Sequence, residues 1–141
     1  MEQPNPLNPV GIDHVVLRAR DFEALINFYT QIIGCRLERL SPDYGIAQLR
    51  AGRSLVDIVD ADGKLGHLGG DAPNHAAENM DHFCLQISPW NEAAIVEHLE
   101  ANGIEVGEVQ RRYGARGNGP SLYIKDVEGN SLELKGLESV A

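Results

Sequence analysis

Residues 12–17 read Ile-Asp-His-Val-Val-Leu, and residues 80–85 read Met-Asp-His-Phe-Cys-Leu. Both stretches place an Asp-His pair at the start of an apolar run that is typical of a β-strand. A repeat of this kind indicates two tandem copies of one supersecondary unit. We therefore expect His14 and His82 to occupy equivalent places in a pseudo-symmetric fold.

The elements that follow each stretch extend the repeat. The first copy predicts a strand over 12–19, a helix over about 22–33 and strands over 35–40, 46–50 and 54–59. The second copy predicts a strand over 80–87, a helix over 90–101 and strands over 104–110, 120–125 and 131–135, with a loop over 113–119. Gly34 and Gly103 end the two helices. The fold class is therefore α+β, with tandem βαβββ modules forming a curved mixed β-sheet and helices on the outer face.

This pattern also divides the chain. We assign a flexible tail to residues 1–9, the first module to 10–59 and the second module to 80–136, with a short tail over 137–141. Residues 60–79 form a glycine-rich linker. A linker of this length is unusual inside a compact domain, and it predicts a lid or a crossover between subunits.

Composition narrows the possible partners and the compartment. The 141 residues carry a formal net charge of −9, which disfavours nucleic acid and anionic membranes as partners. No apolar run approaches the roughly 20 residues of a membrane-spanning helix. Two cysteines make no disulfide framework, and the N-terminus has no signal-peptide pattern, so we expect a cytoplasmic location.

Strand alternation gathers four candidate metal ligands on one kind of face. His14, His82, Asp57 and Glu133 all point away from the helices, because their apolar neighbours point toward them. If the first and last strands of each unit are neighbours, two nitrogen and two oxygen donors converge. That set suits a divalent metal such as Zn, Ni, Mn, Co or Fe(II). The alternatives are a hydrogen-bonded structural histidine and, for Asp57, a solvated carboxylate.

At this point the sequence resembles the vicinal oxygen chelate superfamily, over about residues 10–136. The motifs that carry the resemblance are Ile12-Asp13-His14-Val15-Val16-Leu17, Phe28-Tyr29 before Gly34, Met80-Asp81-His82, and the run from Tyr123 to Leu134. That family includes glyoxalase I, fosfomycin-resistance thiol transferases, methylmalonyl-CoA epimerase, extradiol dioxygenases and bleomycin-binding proteins. Within it, the chain looks most like the small glyoxalase-domain proteins.

The resemblance implies roles for particular residues. His14, His82 and Glu133 match the three most regular metal ligands of the family, and Asp57 falls on the fourth position. Glyoxalase I-like members carry glutamate, histidine or glutamine there, so the shorter Asp57 binds through water or leaves a three-ligand site. Glu133 or Asp57 is the expected catalytic base, and Tyr123 is expected to face the same pocket. Tyr113 and Arg116 either grip an anionic substrate tail or belong to a solvated loop.

Several functions therefore remain open. The resemblance favours a metal-dependent lyase or isomerase acting on a small vicinal-oxygen substrate. An extradiol-type dioxygenase would hold Fe(II), and a fosfomycin-type thiol transferase would use the three-ligand set. A metal-free protein that binds a small molecule or drug, as in bleomycin resistance, is the alternative from another class. Edge strands and the resemblance both lead us to expect a homodimer.

Overall fold

The structure is a computed structural model that describes residues 5–138. Residues 1–4 and 139–141 of the two predicted tails lie outside this range. The strands are β1 His14–Ala19, β2 Arg36–Ser41, β3 Ile46–Ala51, β4 Ser54–Asp60, β5 Phe83–Gln86, β6 Gln110–Gly114, β7 Gly117–Lys125 and β8 Ser131–Lys135. The helices are α1 Phe22–Asn27, which continues as a wider π turn over Phe28–Ile32, and α2 Glu92–Ala101. A short 3-10 turn, Gly66–Gly69, lies between the two modules.

The predicted fold class, two βαβββ modules, is confirmed, and each module builds its own four-stranded sheet. The first sheet has the order β1-β4-β3-β2 and the second has the order β5-β8-β7-β6. In each sheet the first and last strands of the module are parallel neighbours. The other strand pairs are antiparallel. This order places β1 beside β4, which carries Asp57, and it places β5 beside β8, which carries Glu133.

One predicted strand is wrong. Residues 104–109 form no strand, and β6 begins at Gln110 instead. The segment that we expected to be a loop, residues 113–119, is largely a tight hairpin in which Gly114 pairs with Gly117. Gly117 has φ 89°, a left-handed conformation that glycine adopts without the steric cost of a side chain. This glycine-rich run therefore forms the turn of a hairpin. The strand before it, β6, consequently begins later in the chain than we predicted.

The helices cover one face of each sheet and join both modules into one core. Tyr29 of the first module is fully buried, and its ring centroid lies 6.1 Å from that of Phe83 in the second module. Its hydroxyl donates a 2.7 Å hydrogen bond to Asp126, in the turn between β7 and β8. On α2, the His98 ring nitrogen contacts the Ile32 carbonyl at 2.8 Å. The buried apolar residues of both modules belong to a single cluster.

Among residues 5–138, no helix combines the length and the apolar character that crossing a membrane requires.

Candidate metal and active site

The second sheet carries a compact cluster of three polar side chains on the face away from the core. His82 Nε2 lies 3.2 Å from Glu133 Oε1 and 3.3 Å from the Tyr123 hydroxyl. Glu133 on β8 pairs in register with Tyr123 on β7, so both side chains leave the sheet together. His82 stands one residue before β5, which lies on the other side of β8. We call these residues the second half-site.

The His82 ring contacts a carboxylate through each of its two nitrogens. Its Nδ1 lies 2.6 Å from Asp81 Oδ2. A carboxylate only accepts hydrogen bonds, so this contact places the proton of a neutral ring on Nδ1. Nε2 and Glu133 Oε1 then face each other as two electron-pair donors. Metal bonds of about 2.0–2.2 Å hold adjacent ligand atoms roughly 3.0–3.4 Å apart, so the 3.2 Å separation fits two ligands of one cation.

Tyr123 completes the second half-site as a hydrogen-bond donor. Desolvation, followed by the hydrogen bond and charge of Glu133, raises the pKa of Tyr123 above its ordinary value of 10.0. The phenol is therefore protonated at neutral pH. Its ring lies 4.8 Å from the Arg112 guanidinium carbon, a cation–π contact. Arg112 in turn donates 2.8 Å hydrogen bonds to the carbonyl and hydroxyl oxygens of Ser121, which fixes its position.

The first sheet carries the equivalent residues in a looser arrangement, the first half-site. Asp57 is only 3% exposed, yet its Oδ1 has no hydrogen-bond partner. Its Oδ2 accepts a long 3.5 Å hydrogen bond from Gln48, which pairs with it in register as Tyr123 pairs with Glu133. His14 makes no ion pair with Asp57, and its Nδ1 lies 2.7 Å from Asp13. That hydrogen bond raises the pKa of His14 above 6.5, with smaller contributions from the charges of Asp57 and Asp13.

Asp13 and Asp81 are functional candidates to which sequence reasoning gave no role. Both hold Nδ1 of the following histidine, and both leave Nε2 free. Metal-binding histidines commonly use such a carboxylate to fix the ring and its tautomer. The signal was present in the sequence, because the Asp-His pair is repeated without change in both stretches. We did not predict these contacts, because adjacent residues of a regular strand point to opposite faces of the sheet.

The two half-sites do not meet within the chain. Both lie on the sheet faces opposite the shared core, and those faces belong to different sheets. Among residues 5–138, no three His, Cys, Asp or Glu side chains lie close enough to hold one metal ion. The structure thus brings His82, Glu133 and Tyr123 together. It places His14 and Asp57 in a separate group.

A polar cleft of about 260 Å³ opens beside the second half-site. Its lining residues are His82, Cys84, Gln86, Tyr113, Gly114, Ala115, Arg116, Glu133 and Lys135. Desolvation of the sulfur, and then the Glu133 carboxylate, raises the pKa of the Cys84 thiol to about 12. Cys84 is therefore protonated at neutral pH and is a poor nucleophile. The chemistry available in this cleft is that of an imidazole, a carboxylate, a phenol and two cations.

Side chains from both modules hold the linker in place. His75 binds the Glu128 carbonyl through Nε2 at 2.8 Å and also contacts Glu78. On β1, Arg18 donates hydrogen bonds to the carbonyls of Gly66 at 3.0 Å, Gly70 at 2.6 Å and Asp71 at 3.0 Å. These contacts give His75 a structural role.

Comparisons with known proteins identify the family to which this fold belongs. Lactoylglutathione lyase of Salmonella typhimurium is 27% identical over 131 residues, covering 86% of this chain and 88% of that protein. Mitochondrial methylmalonyl-CoA epimerase of Homo sapiens is 24% identical over 130 residues, covering 88% and 72%. The crystal structure of lactoylglutathione lyase from Agrobacterium tumefaciens matches with a TM-score of 0.66 and 26% identity, covering 94% of this chain and 96% of that one. The model of the Glyoxalase/Bleomycin resistance protein/Dioxygenase superfamily matches residues 11–134, and the chain belongs to that superfamily.

Proposed function

We propose that the protein is a divalent-metal-dependent, glyoxalase-like lyase or isomerase that acts on a small substrate with adjacent oxygens. The observation that carries this proposal is the 3.2 Å approach of His82 Nε2 to Glu133 Oε1, a separation that fits two ligands of one cation. A lyase and an epimerase among the similar proteins support the same class of reaction. When bound, the metal would polarise the substrate oxygens as a Lewis acid.

The protein's own residues would handle the proton and the developing charge. Glu133 is the base that moves a proton between adjacent carbons, and Asp57 is the second candidate for that role. Tyr123, which is protonated at neutral pH, donates a hydrogen bond to a substrate oxygen as negative charge builds on it. Asp81 holds the imidazole of His82 in the tautomer that leaves Nε2 available.

We further propose that two copies of the chain form each complete site. The second half-site alone offers His82 and Glu133, and the missing nitrogen donor, His14, lies on the other sheet. A two-fold dimer in which the first sheet of one copy covers the second sheet of its partner would build two identical sites. The face around His14 also exposes apolar side chains, with Ile12 74% and Val16 49% exposed, that such packing would cover.

Two experiments test this proposal. The first measures metal content by elemental mass spectrometry after purification without chelator, for the wild-type protein and for Glu133→Gln. We expect about one divalent ion per chain in the wild type and depletion in the variant. No uptake after reloading with Ni, Zn, Mn, Co and Fe(II) would leave a metal-free binding protein as the better account. Bound Fe(II) with cleavage of a catechol would instead indicate a dioxygenase, because two histidines and one carboxylate suit that chemistry.

The second experiment tests whether the site is shared. A hybrid dimer is made from one His14→Ala chain and one Glu133→Gln chain carrying different tags. If sites are shared, one site receives both substitutions and the other receives neither, so the hybrid binds about one ion while both parent dimers bind none. Sites built within single chains would leave the hybrid as empty as its parents. A wild-type protein that stays monomeric would also contradict the shared site.

A further inference from the structure

The cleft beside the second half-site contains a buried cation without an anionic partner. Lys135 is 6% exposed, and neither it nor Arg116 forms an ion pair with a carboxylate of residues 5–138. Glu133, two residues earlier on the same strand face, is engaged with His82. Hydrogen bonds to neutral carbonyls offset only part of the cost of burying a charge, so a buried ammonium beside a cleft is suited to pairing with an anion.

The Lys135 ammonium is held in a defined place. It donates hydrogen bonds to the carbonyls of Gly117 at 2.8 Å and Gly136 at 3.3 Å. Its stem passes close to Gly114, where an added Cβ would lie 3.1 Å from Cδ and Cε, a tight contact that would displace the stem by a few tenths of an ångström. An ammonium has three donors, and two are used on carbonyls. The third remains available to an occupant of the cleft.

Arg116 supplies a second cation from the turn of the β6–β7 hairpin. Its side chain is exposed and lines the same cleft as Lys135 and His82. The positive end of the cleft thus lies beside the candidate metal ligands, in a protein whose formal net charge is −9. Two cations that avoid the abundant carboxylates of this chain are placed for an anion from outside it.

We propose that Lys135 and Arg116 form an anion subsite, so that the substrate is an oxygenated molecule carrying a carboxylate or a phosphate. That this anion belongs to the substrate rests on the proposed function. The adjacent oxygens of the substrate face His82 and Glu133, and its anionic group occupies the end of the cleft at Lys135. The fixed ammonium sets the position of that group, and Arg116 closes over it.

The test uses the full-length, metal-free protein, titrated with malonate and, separately, with inorganic phosphate at constant ionic strength. Amide chemical shifts of Asn118 and Leu137 report binding, because their N–H groups share peptide units with the Gly117 and Gly136 carbonyls that hold the ammonium. We expect saturable binding of at least one probe in the wild type, with malonate indicating a carboxylate and phosphate indicating a phosphate ester. Lys135→Met and Arg116→Gln should each weaken binding at least about tenfold.

Matched variants separate a specific subsite from general attraction to positive charge. Arg111→Gln removes a nearby arginine that pairs with Glu138 outside the cleft, and it should change the affinity less than about twofold. Arg116→Lys should keep most of the affinity that Arg116→Gln loses. If Lys135→Met does not fold, the exposed Arg116 variants still decide the question.

Absence of saturation by both probes, or equal losses in Arg111→Gln and Arg116→Gln, would overturn the subsite. Metal uptake measured on the same variants is independent of this result. A protein that takes up metal but binds neither probe retains the proposed function and loses the subsite. A protein that binds a probe but no metal shows the reverse.

Discussion

The two half-sites are built from the same repeat, yet only one is assembled. In the second, the Glu133 carboxylate reaches His82 Nε2 at 3.2 Å and Tyr123 stands over both. In the first, Asp57 and Gln48 occupy the equivalent register positions, and Asp57 makes no ion pair with His14. Aspartate is one methylene shorter than glutamate, so its carboxylate stays near the sheet surface. The backbone pairing is thus the same in both copies, whereas side-chain length decides which copy brings its histidine and carboxylate together.

The largest expected effect comes from the carboxylates themselves. Glu133→Gln should weaken Ni²⁺ binding by more than about a hundredfold, because loss of a ligand exceeds the roughly 10–100-fold cost of losing an outer hydrogen-bond partner. Asp57→Asn should cost less than about tenfold, since Asp57 does not reach the histidine of its own half-site. Isothermal titration calorimetry measures both, with exposed Glu108→Gln as the control. Equal losses of Ni²⁺ affinity in Glu133→Gln and Asp57→Asn would mean that the two half-sites contribute equally to metal binding.

The next effect concerns the aspartates that orient the histidines. Asp81→Asn and Asp13→Asn should each reduce Ni²⁺ affinity by roughly 10–100-fold, because a neutral amide oxygen is a weaker acceptor than the carboxylate that fixes the tautomer of the ring. Asp43→Asn, in the turn between β2 and β3, is a matched control and should change little. If Asp13→Asn has no effect while Asp81→Asn does, His14 contributes nothing to the metal, and the shared site fails.

A smaller effect is expected on stability, and it should have opposite signs in the two half-sites. Asp57 keeps one carboxylate oxygen buried without a partner, so Asp57→Asn should raise the free energy of unfolding of the metal-free protein by about 1–2 kcal/mol. Glu133→Gln should not stabilise it, because Glu133 already contacts His82. Urea denaturation in the presence of a chelator measures both differences. A loss of stability in Asp57→Asn would show that the carboxylate is satisfied in solution.

The smallest effect is the titration of His14. Its raised pKa means that the protonated ring is favoured in the folded state, and the resulting stabilisation is complete below the ordinary value of 6.5. It is lost as the pH rises through the higher pKa of the folded protein. Asp13→Asn should move the pKa of His14 back toward 6.5, as followed by NMR of the imidazole ring protons. Asp43→Asn should leave the titration of His14 unchanged. If the pKa of His14 in Asp13→Asn equals that in the wild type, the contact between Asp13 and His14 is contradicted.

Local rules predicted most of the fold and the sheet face on which the candidate ligands lie. The repeated Asp-His pair located both modules, and strand alternation assigned His82 and Glu133 to the face away from the core. The sequence could not reveal that the two groups lie on different sheets, because that depends on how the modules pack. Strand alternation also predicted wrongly that Asp13 and Asp81 would point away from the histidines that follow them. His14 is the first residue of its strand and His82 precedes its strand, so the backbone there need not alternate. The β6–β7 hairpin was missed because its turn depends on the left-handed conformation of Gly117.

The buried contact between Tyr29 and Asp126 bears on the history of this chain. Tyr29 comes from the first repeat and ends in the second, so each repeat supplies part of the interior of the other. The unit that was duplicated in the sequence is therefore not the unit that folds. A change at Tyr29 therefore affects the interior of the second repeat as well as that of its own. Substitutions in one half therefore constrain the residues that the other half can accept, although each half keeps the sequence pattern of a separate copy.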